Sequence, residues 1–263
     1  MNGIKKILAL AMIPLMSISL TSCSFYIAYA DADKYLIGSQ DYEGELKDLD
    51  IDWVSGSVTL VEDANATKIS VVEENDLKDE EKVHSYFHDG ILNVKYWASG
   101  YRNFSFRTPI KNLVITYPSL ENIKVGITSG VFVSESLEAK SATFKLTSGK
   151  MKIGKIKADN FKASMTSGTL TVDELDVKEG DFGCTSGTIL IKKSQADKLS
   201  FGLTSGKIDL AIPENGATID FHKTSGSYHS EGKEYTIDDK KYVYGDGSCQ
   251  IQIKITSGAV YIR

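Results

Sequence analysis

Cysteine, histidine and an excess of charge of either sign are all scarce in this chain. Three cysteines, Cys23, Cys184 and Cys249, are spread over 263 residues. That is too few and too scattered for a disulfide-stapled small domain or a four-cysteine zinc site. The formal net charge is −5, and without a strong basic excess a nucleic-acid partner has no electrostatic footprint. Also missing from the body of the chain is any 3.6-residue apolar stripe, which disfavours helix. What is abundant is hydrophobic residues, 41% of the total, with 25% charged, a balance that can bury a core and excludes disordered or collagen-like chains.

The apolar residues follow a repeat. Thr-Ser-Gly begins at Thr128, Thr147, Thr166, Thr185, Thr204, Thr224 and Thr256, at spacings of 19, 19, 19, 19, 20 and 32, with a near-copy at Val54-Ser55-Gly56. A fixed period near 20 marks a solenoid of stacked coils. One residue before the threonine stand Ile127, Leu146, Met165, Cys184, Leu203 and Ile255; three before stand Val125, Phe144, Ala163, Phe182, Phe201, Phe221 and Ile253. Alternating apolar positions mean strands with one buried face. A second alternation follows the glycine, from Phe132, Met151, Leu170, Ile189 and Ile208 to Ile153, Val172, Ile191 and Leu210. Four positions separate the two sets, which breaks strict alternation and requires a bend that glycine permits. Leu137, Ile156 and Leu175 supply a short return segment.

The fold expected is therefore all-β: a single-domain β-solenoid, parallel β-helix-like, with coils of about 19 residues and Thr-Ser-Gly corners. The domain spans 41–263, with an irregular excursion at 76–112 and an insertion at 232–247. Two antiparallel strands, 91–97 and 102–107, are expected around Ala98-Ser99-Gly100, and both irregular segments are candidate end caps. Stacking in chain order would put Cys184 and Cys249 three coils apart, too far for a disulfide, with Cys249 partly accessible. Lys223 falls in the interior column before Thr224, so that coil should distort or its stem should reach solvent.

Ahead of the repeat, Lys5 and Lys6 precede an apolar run, Ile7 to Leu20, ending in Leu20-Thr21-Ser22-Cys23. This resembles a bacterial lipoprotein signal peptide, residues 1–22, with Cys23 as the lipid attachment point and 23–40 as anchor and tether. Ala28-Tyr29-Ala30 offers an alternative cleavage site, and the run could also remain as an uncleaved anchor. Two acyl chains suffice for stable anchoring, so the resemblance implies an extracytoplasmic, membrane-anchored lipoprotein at the bacterial cell surface.

The early coil ending in Ser-Gly, the Tyr117-Pro118 step into Ile123-Lys-Val-Gly-Ile-Thr-Ser-Gly130, and the closing Gly245-Asp-Gly247 before Ile-Lys-Ile-Thr-Ser-Gly258 resemble the bacterial putative-adhesin β-strand-repeat domain of unknown function. The resemblance covers roughly 40–263 and implies an envelope location. It brings no catalytic residues.

Chemistry is sparse. His84 and His88, beside Asp89, have metal-like spacing, but only two other histidines exist and no metal or cofactor is expected. A catalytic serine needs one copy with a base, whereas Thr-Ser-Gly recurs in every coil. Asp173, Asp176, Asp181, Asp209 and Asp220 fall in different repeat columns, against the alternative of a polysaccharide-active enzyme of the parallel β-helix type. A flat threonine array of the ice-binding kind is disfavoured too, since only Thr169-Leu-Thr171 has Thr-x-Thr spacing. Residues 31–90 carry 17 acidic and 5 basic side chains, a balance of −12, while 91–263 carry 18 acidic and 23 basic, or +5. Lys145, Lys150, Lys152, Lys155, Lys157 and Lys162 are the candidate ligand-binding residues on this mildly basic stretch. The function expected is a non-catalytic adhesin-like or envelope-associated binding module. Its partners would be the membrane, through the lipid anchor, and a cell-envelope polymer or surface protein.

Overall fold

A computed structural model describes residues 25–26, 28–100, 102–103, 108–231, 235–238 and 240–263. The expected signal peptide, 1–22, and Cys23 lie outside them. Apart from two three-residue 3-10 turns, Ala32–Lys34 and Asp79–Glu81, every regular element among the described residues is a strand. Sixteen strands join in one open sheet, and two more, Phe25–Tyr26 and Arg102–Asn103, pair separately.

The alternating apolar columns dictate how the sheet folds on itself. The long strand Asn122–Ile191 pairs in parallel with Ser194–Leu210 at an offset of 19 residues, so that Phe182 faces Phe201 and Cys184 faces Leu203. Like residues therefore stack on like, and the columns before and after Thr-Ser-Gly, with the Leu137, Ile156 and Leu175 segment, are buried. Phe132, Phe144, Phe161, Phe182 and Phe201 form a continuous aromatic file with centroids 4.7–5.6 Å apart. Such contacts contribute about 0.5–1.5 kcal/mol each beyond their buried area.

Glycine is required where the motifs stack. At Gly149, with φ 129°, a Cβ would lie 2.1 Å from the carbonyl oxygen of Gly130. Gly168, Gly187 and Gly206 repeat the contact with the glycine one layer before, so the backbones approach more closely than any side chain allows.

Layer order departs from chain order at both ends. Asp48–Trp53 lies between 122–127 and Ile91–Lys95, and Gly56–Glu62 lies between 131–134 and Lys111–Tyr117, all in parallel. Ile91–Lys95 and Lys111–Tyr117 thus form the outer layer, and the earlier segment 48–62 is sandwiched beneath it. The mirror arrangement closes the other end. Cys249–Ile255 and Ala259–Ile262 pair with Ser194–Leu210 on one side and with Gly216–Lys223 and Ser227–Ser230 on the other. The last strands in sequence are therefore one layer in from the end. Antiparallel strands cover both outer layers: His84–His88 and Ile69–Glu73 at one end, Lys241–Gly245 and Tyr235–Asp238 at the other. They cover parallel edges that would otherwise pair with another chain.

Several expectations are corrected here. Ile91–Lys95 pairs antiparallel with His84–His88 rather than with the segment after Gly100, because its other edge is taken by Asp48–Trp53; of 102–107, only 102–103 is described, pairing with Phe25–Tyr26. Residues of the expected tether are also paired, Leu36–Ile37 with His84 and Ser85, and Gln40 with Val71. Cys184 and Cys249 are both free, but chain-order stacking is not the reason. Leu203, opposite Cys184, faces Ile255 directly, and Cys249 lies six residues upstream along that strand. Cys249 is 1% exposed rather than partly accessible. Lys223 faces Ile255 in register yet is exposed, its Nζ donating to the Gly226 carbonyl at 3.1 Å, as a stem reaching out requires.

Candidate functional site

The interior is closed by apolar side chains, so the groups available for recognition lie on the outward columns. The Thr-Ser pairs starting at Thr128, Thr147, Thr166, Thr185, Thr204, Thr256 and Thr224, in spatial order, are all exposed. Backbone hydrogen bonds run across this ridge, as from Ser257 N to Thr204 O and Ser225 N to Thr256 O, both at 2.8 Å. The ridge thus presents a row of hydroxyls at the rung spacing of ~4.8 Å.

All six candidate lysines, Lys145, Lys150, Lys152, Lys155, Lys157 and Lys162, are exposed. The fold does not gather them into one basic patch. Lys155 pairs with Glu174 at 3.2 Å, Lys157 with Glu138 at 2.8 Å and Lys162 with Asp181 at 3.1 Å. Glu121 with Lys140, Asp159 with Lys178 and Asp173 with Lys192 complete a set of pairs, each with partners 19 residues apart. Exposed pairs of this kind stabilise by only about 0–1 kcal/mol. They do neutralise the surface, because opposite charges stand on adjacent rungs.

His84 and His88 separate on the Tyr86-containing strand: His84 is buried and its Nδ1 bonds the Lys82 carbonyl at 3.0 Å, whereas His88 is exposed beside Asp89. Burial holds the His84 imidazole below its usual range. No group of three or more metal-ligating side chains occurs among the described residues. Asp209 is held by Arg263 at 2.6 Å and Lys207 at 3.0 Å, and Asp220 by His222 at 2.9 Å.

Sequence reasoning passed over Lys111. It occupies the slot that Gly56 fills one layer in, and it is fully buried. Fifteen residues, 96–110, link the strands here where the layer beneath uses three, 53–55. The Lys111 ammonium bonds the carbonyls of Tyr96 and Lys82 and sits 4.1 Å from the Tyr96 ring centroid and 4.9 Å from that of Trp97. Burial pushes its pKa down to about 8, partly opposed by Glu73 and Glu81. Nothing in the local sequence separates this lysine from an ordinary loop residue.

Stacked parallel rungs with a closed apolar core and an exposed hydroxyl and charge lattice define an all-β, repeat-built, solenoid-like domain. The chain belongs to the Toastrack DUF4097 family, whose model matches residues 40–263. It is similar in fold to a putative adhesin from Bacteroides fragilis NCTC 9343, with a TM-score of 0.54 and 12% identity over 87% of this chain and 97% of that one. A putative lipid binding protein from Parabacteroides distasonis ATCC 8503 aligns with a TM-score of 0.47 and 16% identity, covering 86% of this chain and 96% of that one. No curated protein matches the chain. Among the described residues no helix is long and apolar enough to cross a membrane.

Proposed function

We propose that the chain is a lipid-anchored, extracytoplasmic β-solenoid that acts at the cell surface as a non-catalytic, adhesin-like binding module. Each coil has about 19 residues and turns at Thr-Ser-Gly, a reading supported by the 19-residue register and the stacked glycines. The observation that carries the binding role is the exposed hydroxyl ridge and its flanking lattice, repeated at one spacing along a rigid stack. An extended surface of this kind suits long or multivalent partners. The description of the Bacteroides fragilis structure as a putative adhesin is consistent with that role. The non-catalytic part of the reading is supported by the pairing of Asp173, Asp181 and Asp209 with basic side chains on neighbouring rungs.

Anchoring places the domain close to its membrane. Tyr29 is already packed on the domain, its hydroxyl donating to the Trp97 carbonyl at 3.1 Å. It stands six positions after Cys23, a reach of at most about 20 Å. Fatty-acid labelling of the wild type that disappears in Cys23→Ala supports the anchor; persistent labelling overturns it. Capture of envelope components by the full chain, against a control chain unfolded by Leu203→Asp, tests the binding role, and equal capture by both would overturn it.

A further inference from the structure

The connection between Gly56–Glu62 and Ile69–Glu73 carries a pattern that occurs nowhere else in the chain. Asp63-Ala64-Asn65-Ala66-Thr67 places an acid two residues before an asparagine and a hydroxyl two residues after it. Asn-x-Thr, with x other than proline, is the acceptor signature for asparagine-linked glycans and belongs on a surface loop of an exported protein. Asn103-Phe104-Ser105 has the second half of the pattern, but Tyr101 stands where the acid should be. The acid has a physical use: it gives a transferase a charge to hold at one end of the segment while the hydroxyl is held at the other.

The fold presents these residues as an acceptor requires. Asp63, Asn65 and Thr67 are all exposed, and no residue of 63–68 is buried. Asn65 is the third residue of a turn closed by Ala66 N donating to the Asp63 carbonyl at 2.8 Å, with Asn65 N donating to Asp63 Oδ1 at 2.9 Å. The turn uses the backbone of Asn65 and leaves its side chain out. Neither the Asn65 amide nor the Thr67 hydroxyl makes a hydrogen bond among the described residues. Both ends of the segment are pinned, by Asp63 N on the Tyr117 carbonyl at 2.9 Å and by the Lys68–Asp41 ion pair at 2.5 Å. Drawing 64–67 out into an extended shape therefore breaks two local hydrogen bonds, unpacks no core side chain and leaves both flanking strands in place.

We propose that Asn65 is a glycan attachment site, filled by an oligosaccharide transferase of the cell envelope; the proposal rests on the extracytoplasmic location above and adds a covalent modification to it. The Asn65 side-chain nitrogen attacks C1 of a sugar carried on a polyprenyl diphosphate. A C–N bond forms and the C1–O bond breaks; the diphosphate leaves with the bonding electrons, and one amide proton passes to solvent. An amide nitrogen shares its lone pair with the carbonyl and is a weak nucleophile, so the reaction needs an enzyme that holds the segment still. The Asp63 carboxylate and the unengaged Thr67 hydroxyl are the two handles for it. The exposed Thr-Ser ridge offers hydroxyl acceptors instead, and modification confined to it is the competing outcome.

The test reads the tryptic peptide 48–68, in which Asn65 is the only asparagine. The full chain is extracted in detergent from its own cells, digested, and sequenced by electron-transfer mass spectrometry, which leaves a glycan on its residue. The wild-type peptide should be heavier by whole hexose or N-acetylhexosamine units carried on Asn65. Asn65→Gln and Thr67→Val should each remove the added mass. Asp63→Asn keeps an acceptor oxygen for the turn but not the charge, and should lower occupancy about tenfold, as loss of one charged hydrogen bond implies. Asn65 unmodified in the exported wild type overturns the proposal, whether or not the Thr-Ser hydroxyls carry sugar, and so does a glycan that survives Thr67→Val. Protease treatment of spheroplasts with an intact cytoplasmic membrane keeps the two readings apart. If the chain is digested there and Asn65 is bare, only the attachment site is lost; if the chain is protected until that membrane is broken, the extracytoplasmic location fails and the attachment site with it.

Discussion

Lys111 makes the protein's stability depend on pH in a direction opposite to most lysines. A lysine that gains a partner on folding has a raised pKa; burial instead brings this one down to about 8 from 10.5. Between those values the unfolded chain holds more protons, so stability rises with pH. Relative to Lys111→Met, the wild type should gain about 2 kcal/mol between pH 7.5 and 9.5. Comparing the two chains cancels the opposing contribution of the buried cysteines, whose pKa values burial raises in both. Urea midpoints at four pH values would show this, and parallel curves would mean that the ammonium reaches water. The cysteines offer a second measurement. Burial pushes the Cys249 thiol up to about 11 and raises that of Cys184, so neither should react with a thiol reagent in the native state. Unfolding should release two reactive thiols if Cys23 is acylated and three if it is not.

At the scale of the strand, two glycines three rungs apart have opposite roles. Gly149→Ala forces a Cβ to 2.1 Å from a neighbouring backbone oxygen at φ 129°, and should destabilise by more than the ~1–3 kcal/mol of a strained residue alone. Gly202 has ordinary φ and no atom within 4 Å of the added Cβ. Gly202→Ala should therefore be neutral or stabilise by about 0.4–1 kcal/mol, and thermal melts of the two variants distinguish them directly. Leu203→Asp puts a carboxylate between Cys184 and Ile255 and should unfold the adjoining layers together. The interior columns were legible in the sequence because a period of two within a period of 19 leaves one consistent burial pattern, from Ile127 to Ile255. The end layers were not. Which strand takes a free edge depends on pairing between distant segments, and Ala98-Ser99-Gly100 looks like a hairpin turn although Ile91–Lys95 has partners on both sides already.

For the whole molecule, the consequence lies in the swapped end layers. In a simple solenoid the last coil is expendable, since removing it exposes only the next. Here the chain beyond Gly247 supplies the layer between Ser194–Leu210 and Gly216–Lys223. Truncation after Gly247 should therefore cost far more than one terminal coil: the segments Gly216–Lys223 and Ser227–Ser230 lose their parallel partners, and the 194–210 edge is left open. Limited proteolysis should cut the truncated chain within 216–230 while sparing the chain that extends through Arg263 there; equal resistance would mean that the outer layer closes directly onto 194–210. Residues 248–263 act as a keystone in a chain made from its N-terminus onward. Until they arrive, the 211–247 segment has no seat, and the growing edge cannot be sealed. A product that stops short of Cys249 is then marked by its own unfinished face, distinguishable by shape alone.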